Sequence, residues 1–219
     1  MAVLPRRQNG MTTKKVGNVW YGETFIGRLL GFENILVQSL EDLEDVDMLV
    51  FWGGEDINTK LYGERPVYTT SADKLSERDR FESLLFNNAR GVIPTLGICR
   101  GSQFLCAMNG GKLWQHVNSH GRDHMMVTKD GDLIKTTSTH HQMMRPTKEM
   151  ELLAHSEHIL SVQKFNEKGA WELTEPEAEI VYHPGNNSLM IQGHPEYPAT
   201  SKDFVALTKE YIHKYLGVK

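Results

Sequence analysis

Long apolar runs are missing from this chain. No segment approaches the roughly 20 residues needed to cross a bilayer, and the stretch from Met1 to Lys15 has basic residues but no apolar core of signal-peptide length. A membrane is therefore not an expected partner. Cysteine is scarce: Cys99 and Cys106 are the only two, too few for a disulfide framework. Charge of one sign is also lacking. The 24 Lys and Arg against 28 Asp and Glu leave a net charge of -4 with no long single-sign run, which argues against nucleic acid or an anionic lipid surface. There is no internal repeat, no low-complexity tract and no Pro/Gly/Ser-rich linker. One domain over residues 1–219 is expected, with polar residues 1–14 as a loose leader. Nor is there a phosphate-cradling Gly-x-x-x-x-Gly-Lys loop, so an ATP-using step would fall to another polypeptide, and no cofactor is expected.

What is present reads as an α/β protein. Strands are expected at 15–20, 34–38, 48–52 and 91–96, alternating with helices at 23–30, 78–89 and from 104 on. Such alternation predicts a central, mostly parallel sheet. After about residue 110 the texture turns to short strand-like pieces, at 112–115, 125–128, 133–137, 152–154, 160–165, 180–182 and 190–194. Extra antiparallel strands are thus expected in the C-terminal half. A hairpin turn is expected at Gly185-Asn186-Asn187, and residues 200–216 close the chain as an amphipathic helix.

The chemistry concentrates at Gly97-Ile98-Cys99-Arg100-Gly101-Ser102-Gln103. A strand that turns into a helix through Gly-x-Cys-x-Gly has the form of a nucleophile elbow. The glycines remove side chains where strand and helix meet, so Cys99 can hold a strained conformation and present its sulfur. The helix start favours thiolate over thiol, and the N–H of Arg100 lies where an oxyanion would form. Cys106 reads as a small core residue. A thiol nucleophile needs a base, and among the ten histidines His194-Pro195-Glu196 stands out, at the end of a buried strand. If that strand stays extended, residues i and i+2 share a side, so Glu196 can steady His194. The sum is a Cys99–His194–Glu196 triad. Gly53 and Gly54 follow the 48–52 strand, where glycine lets the backbone approach a ligand closely. Gly54 N–H is the candidate second oxyanion donor. His116, His120 and His124 recur every fourth residue, but Asn118 and Gly121 speak against a helix there. They read as surface histidines rather than metal ligands, and no metal site is expected.

With these residues in hand, the chain resembles the class I glutamine amidotransferase superfamily, and more closely its γ-glutamyl hydrolase-like branch, peptidase family C26, which includes γ-glutamyl-GABA hydrolases. The resemblance rests on the two motifs above and, in order, on Gly53-Gly54-Glu55-Asp56, Tyr62-Gly63-Glu64, Arg78-Asp79, Gly110-Gly111-Lys112-Leu113 and Ser138-Thr139-His140-His141-Gln142. It implies a flavodoxin-like, three-layer αβα fold. It implies that Gln103 and Ser138, Thr139, His140, His141 and Gln142 touch a glutamyl group, beside Gly53. It also implies hydrolysis of a γ-glutamyl amide through a thioester. The parts before Met48 and between 157 and 187 match poorly. Three readings stay open: a hydrolase of a small γ-glutamyl substrate working alone, a glutaminase subunit feeding ammonia to a separate synthase, and a non-catalytic binding module. A homo-oligomer is compatible with each. The cytoplasm is the expected compartment, because the thiol must stay reduced.

Overall fold

The computed structural model describes residues 13–71, 73–172 and 175–219. Most of the expected leader lies outside them. Elements run in chain order as β1 (Lys15–Val19), α1 (Phe25–Leu30), β2 (Glu33–Val37), β3 (Met48–Phe51), α2 (Glu77–Ala89), β4 (Thr95–Ile98) and α3 (Arg100–Met108). Then follow β5 (Lys112–Trp114), β6 (His116–Val117), β7 (His124–Thr128), β8 (Leu133–Thr136), β9 (Met143–Arg145) and β10 (Glu151–Ser156). The chain closes with β11 (Lys164–Asn166), β12 (Gly169–Trp171), β13 (Ala178–His183), β14 (Ser188–Ile191) and α4 (Lys202–Tyr211), which runs into a π turn at Ile212–Leu216.

Nine strands form one sheet in the order β2-β1-β3-β4-β14-β13-β10-β7-β8. From β2 to β14 the neighbours are parallel, and from β14 to β8 they are antiparallel. The architecture is thus the mixed, mostly parallel-centred α/β sheet expected, with its antiparallel strands in the C-terminal half. The central strands are buried on both faces, which is why Met48-Leu49-Val50-Phe51 is uniformly apolar. Alternation splits it. Leu49 and Phe51 pack with Phe86 and Phe104 of α2 and α3, while Met48 and Val50 pack with Ile26 of α1 and Phe204 and Tyr211 of α4. Two cores, one on each face, give the three layers.

Three local expectations shift, each for a physical reason. The apolar stretch 91–94 is not strand. Gly91 takes φ 74° and Val92 and Ile93 donate to the Ala89 carbonyl, so these residues close α2, and β4 starts after Pro94 and runs through Gly97 and Ile98. Residues 160–163 are not strand either, because the Glu177 carboxylate takes the N–H groups of Leu160 (2.7 Å) and Ser161 (2.9 Å), leaving only Lys164–Asn166 in a ladder. The last inner strand ends at Ile191, so His194-Pro195-Glu196 is a turn rather than extended chain. The expected hairpin is present: β13 and β14 pair antiparallel around a 3-10 turn at Pro184–Asn186 and left-handed Asn187.

Candidate active site

Three adjacent parallel strands deliver the candidate residues. Gly53 and Gly54 leave β3, Cys99 leaves β4, and His194 and Glu196 follow β14. All emerge at the carboxyl ends, where open α/β sheets hold their ligands.

The elbow is built by contact, not only by sequence form. Cys99 sits at φ 51° and ψ -109°, a costly region for a residue with a side chain. A Cβ on Gly97 would lie 2.4 Å from the Gly101 carbonyl oxygen, and one on Gly101 would lie 1.9 Å from the Phe51 carbonyl oxygen. Strand β4, helix α3 and strand β3 therefore meet backbone to backbone. The Cys99 carbonyl accepts from the N–H groups of Ser102 (3.0 Å) and Gln103 (3.2 Å) and from the Ser102 hydroxyl (2.6 Å). The N–H groups of Arg100 and Gly101, which precede these, have no intrahelical acceptor and give the surroundings of Cys99 positive partial charge.

His194 Nδ1 lies 2.7 Å from Glu196 Oε1, and Cys99 is its neighbour across Gly53. Burial alone would lower the imidazole pKa. The hydrogen bonds and charges of Cys99 and Glu196 outweigh burial and push it up to about 10. The ring is fixed on other sides too. Thr137 Oγ1 accepts from His194 N–H at 2.7 Å and donates to its carbonyl at 3.0 Å, and Tyr197 stacks on the ring at 4.1 Å between centroids. A Cβ on Gly53 would sit 2.8 Å from His194 Cε1 and 3.6 Å from Cys99 Cβ. Only glycine leaves the His194 ring its place there. The other thiol differs: burial raises Cys106 to about 12, so it stays protonated and inert.

A buried charge network absent from the sequence reading holds the floor. Arg78 donates to the carbonyls of Trp52 (2.6 Å) and Gly53 (2.9 Å) and pairs with Glu82 at 2.7 Å. Arg100 pairs with the same Glu82 and with Asp79 at 2.5 Å. Asp79 and Ser76 form the capping box of α2. Two cations and two anions balance, so the desolvation of each is offset. The four-residue spacing of Arg78 and Glu82 was the available sequence signal.

The other expected contact residues divide. Gln103 Nε2 donates to the Gln142 carbonyl at 3.1 Å and to Gln192 Oε1 at 3.4 Å. His141 Nε2 meets Asp56 Oδ1 at 2.8 Å, and Asp56 also takes Thr69 and Thr70, clamping the loop after Gly54 to residues 138–142. Burial would raise the Asp56 carboxyl, but the bonds from His141, Thr70 and Thr69 hold it at about 2. Thr139 is exposed. Ser138 and His140 are engaged elsewhere: the Ser138 hydroxyl donates to the His120 carbonyl, and the His140 ring lies 4.8 Å from that of His120. The surface reading of the 116–124 histidines is thereby corrected. His120 is fully buried, His124 Nε2 pairs with Glu179 at 2.9 Å, and His116 packs on His141 and Phe165. Of the polar loop 118–123 only His120 turns inward, toward Glu177 and Glu179. As expected, no helix carries these three.

Comparison with known proteins shows the family and the fold. The sequence profile of the peptidase C26 family matches residues 35–196. Among curated proteins, NtpR of Enterococcus hirae is 33% identical over 79 residues, 36% of this chain and 33% of its own length. The glutamine-hydrolyzing GMP synthase of Sinorhizobium fredii is 28% identical over 144 residues, 64% of this chain and 25% of its own length. The chain spans about a third of the length of the first curated relatives it matches. Among solved structures, a glutamine amidotransferase of Thermotoga maritima superposes with a TM-score of 0.58 at 15% identity, over 94% of this chain and 90% of the other. PurLQS of the same organism gives 0.59 at 14% identity, over 94% and 98%. At such identities the structures share the fold alone.

Proposed function

The chain belongs to the peptidase C26 family of the class I glutamine amidotransferase superfamily, and from that premise we propose that it hydrolyses a γ-glutamyl amide through a Cys99 thioester. The observation that carries this is one imidazole, His194, hydrogen-bonded to Glu196 at 2.7 Å and sharing the space beside Gly53 with Cys99 on its strained elbow.

The chemistry follows from the geometry. Cys99 attacks the γ-carbonyl while the N–H groups of Gly54 and Arg100 receive the oxyanion. His194 enters as imidazolium and protonates the departing ammonia or amine. Acylation removes the sulfur anion that helped raise the imidazole, so its proton is released more easily at the moment it is needed. The neutral ring then takes a proton from water, which attacks the thioester and frees glutamate. Glu196 holds the ring and offsets its charge throughout. Gly53, Gln103 and residues 138–142 form the glutamyl side of the cleft. Because Ser138 and His140 face His120, recognition there falls to Thr139, His141, Gln142 and the backbone.

The test is glutamate release by purified protein from glutamine and from a panel of γ-glutamyl amines. Turnover by the wild type and none by Cys99→Ala supports the reading; equal turnover by both overturns it. The likeness to a glutamine-hydrolyzing GMP synthase and to PurLQS favours a second reading, a glutaminase delivering ammonia to a synthase. That reading expects slow release alone and acceleration by a partner, whereas a free-standing hydrolase works unaided.

A further inference from the structure

We propose that His120, His140 and Glu179 form a binding site for a zinc-class divalent cation, behind the wall of the cleft and independent of the reaction proposed above. The three come from different parts of the chain: the loop before β7, the loop before β9, and β13. Their exposures are 0%, 6% and 1%, and each offers a donor atom within 4.8 Å of the others.

Four buried atoms at this place have no hydrogen-bond partner: both nitrogens of His120, Nε2 of His140 and Oε2 of Glu179. One such orphan costs about 1–3 kcal/mol, and three of them, one from each residue, can share a common partner. The surrounding bonds aim their lone pairs. His140 Nδ1 lies 2.7 Å from the Gln142 carbonyl. A carbonyl only accepts, so the proton sits on Nδ1 and Nε2 presents a lone pair. A backbone carbonyl on the far ring nitrogen is the usual brace of a metal-binding histidine. Glu179 is braced likewise, with Oε1 2.9 Å from His124 Nε2 and Oε2 left free.

The rival is an imidazolium at His120 bridging two carboxylates without an ion. Nε2 lies 3.3 Å from Glu177 and Nδ1 3.8 Å from Glu179, distances that allow ion pairing. They leave the His140 and Glu179 orphans unexplained. Two imidazoles and a carboxylate match zinc rather than magnesium or calcium, which prefer oxygen. Tetrahedral donors about 2.0–2.1 Å from zinc stand roughly 3.4 Å apart, so loading draws these side chains together by rotation. A bound ion would fix residues 138–142, whose Gln142 carbonyl also receives Gln103 at 3.1 Å.

The experiment strips the full chain with dipicolinate and titrates it with Zn2+, and separately with Mg2+, reading stoichiometry by native mass spectrometry and affinity by calorimetry. It is run in the Cys99→Ala background, which removes the other thiol–imidazole zinc trap without touching this site. The expected result is one Zn2+ per chain and no stoichiometric Mg2+. His140→Gln and the isosteric Glu179→Gln should each weaken Zn2+ by at least about 100-fold, while His158→Asn, on the surface, leaves it unchanged. Absence of stoichiometric Zn2+ in the unsubstituted site, or equal affinity in all the variants, overturns the proposal.

Discussion

Two histidine–carboxylate clusters lie on either side of residues 137–142, and they differ in how their nitrogens are satisfied. In the cleft, His194 has Glu196 at one nitrogen, Cys99 beside it across Gly53 and Tyr197 on its face. Around His120, the ring sits among carboxylates yet bonds none of them in line. The same residue types thus serve different ends. An imidazole hydrogen-bonded to a carboxylate has its proton placed and its pKa tuned, which suits acid–base work. One that is fully buried and held only at ion-pair distance from its carboxylates can take a further partner.

Substitutions can break or sharpen that contrast. The largest effect is expected from Cys99→Ala, which should lower glutamate release by at least about 10^4-fold while leaving thermal unfolding near wild type. A comparable loss from His120→Asn with a native fold would merge the two clusters into one machine. Next, Glu196→Gln should cost about 10^2 to 10^4-fold in turnover. The Glu196 charge raises His194, so its removal lowers that pKa. The alkaline limb of acylation, where His194 loses its proton, lies near 10 in the wild type and should move to lower pH in a pH–rate profile.

Gly101→Ala places a Cβ 1.9 Å from the Phe51 carbonyl oxygen and should lower unfolding free energy by about 1–3 kcal/mol. Gly121→Ala, beside His120 with nothing within 4 Å, should change it by less than about 0.5 kcal/mol. Denaturant titration of both separates the tight elbow from the looser loop. A smaller, pH-dependent effect is expected from Asp56→Asn. The Asp56 carboxyl is depressed to about 2 from an ordinary value of about 3.9. Its contribution to stability is therefore complete above that ordinary value and is lost as pH falls through about 2. The gap in melting temperature between wild type and variant should close over that window. Tyr197→Ala should have the least effect, under about tenfold in turnover, because it removes a stacking surface from His194 and no hydrogen bond on the ring.

Legibility in the sequence followed the range of the forces involved. The strand at Met48–Phe51, the helix at Glu77–Ala89 and the Cys99 elbow were readable because their patterns are set by near neighbours. The first four residues of the 91–96 stretch misled because an apolar run fits both a strand and a helix end, and Gly91 chose the latter. His194 and Glu196 were found as a pair for the wrong local reason, since a turn rather than an extended strand joins them. Burial of His120 was illegible: its loop, Asn118-Ser119-His120-Gly121-Arg122-Asp123, is polar throughout, and the carboxylates that draw it inward lie more than fifty residues away.

By itself the amino-acid order determined the alternation of strands and helices, the two glycines that let β4 turn into α3, and the sulfur placed at that turn. Each depends on residues a few positions apart, whose sterics act before the chain is folded. Tertiary structure alone decided that β3, β4 and β14 lie side by side, that Arg78, Glu82, Arg100 and Asp79 share one buried network, and that His120, His140 and Glu179 meet. Those are contacts between distant segments, and they acquire energy only when the sheet removes them together from water.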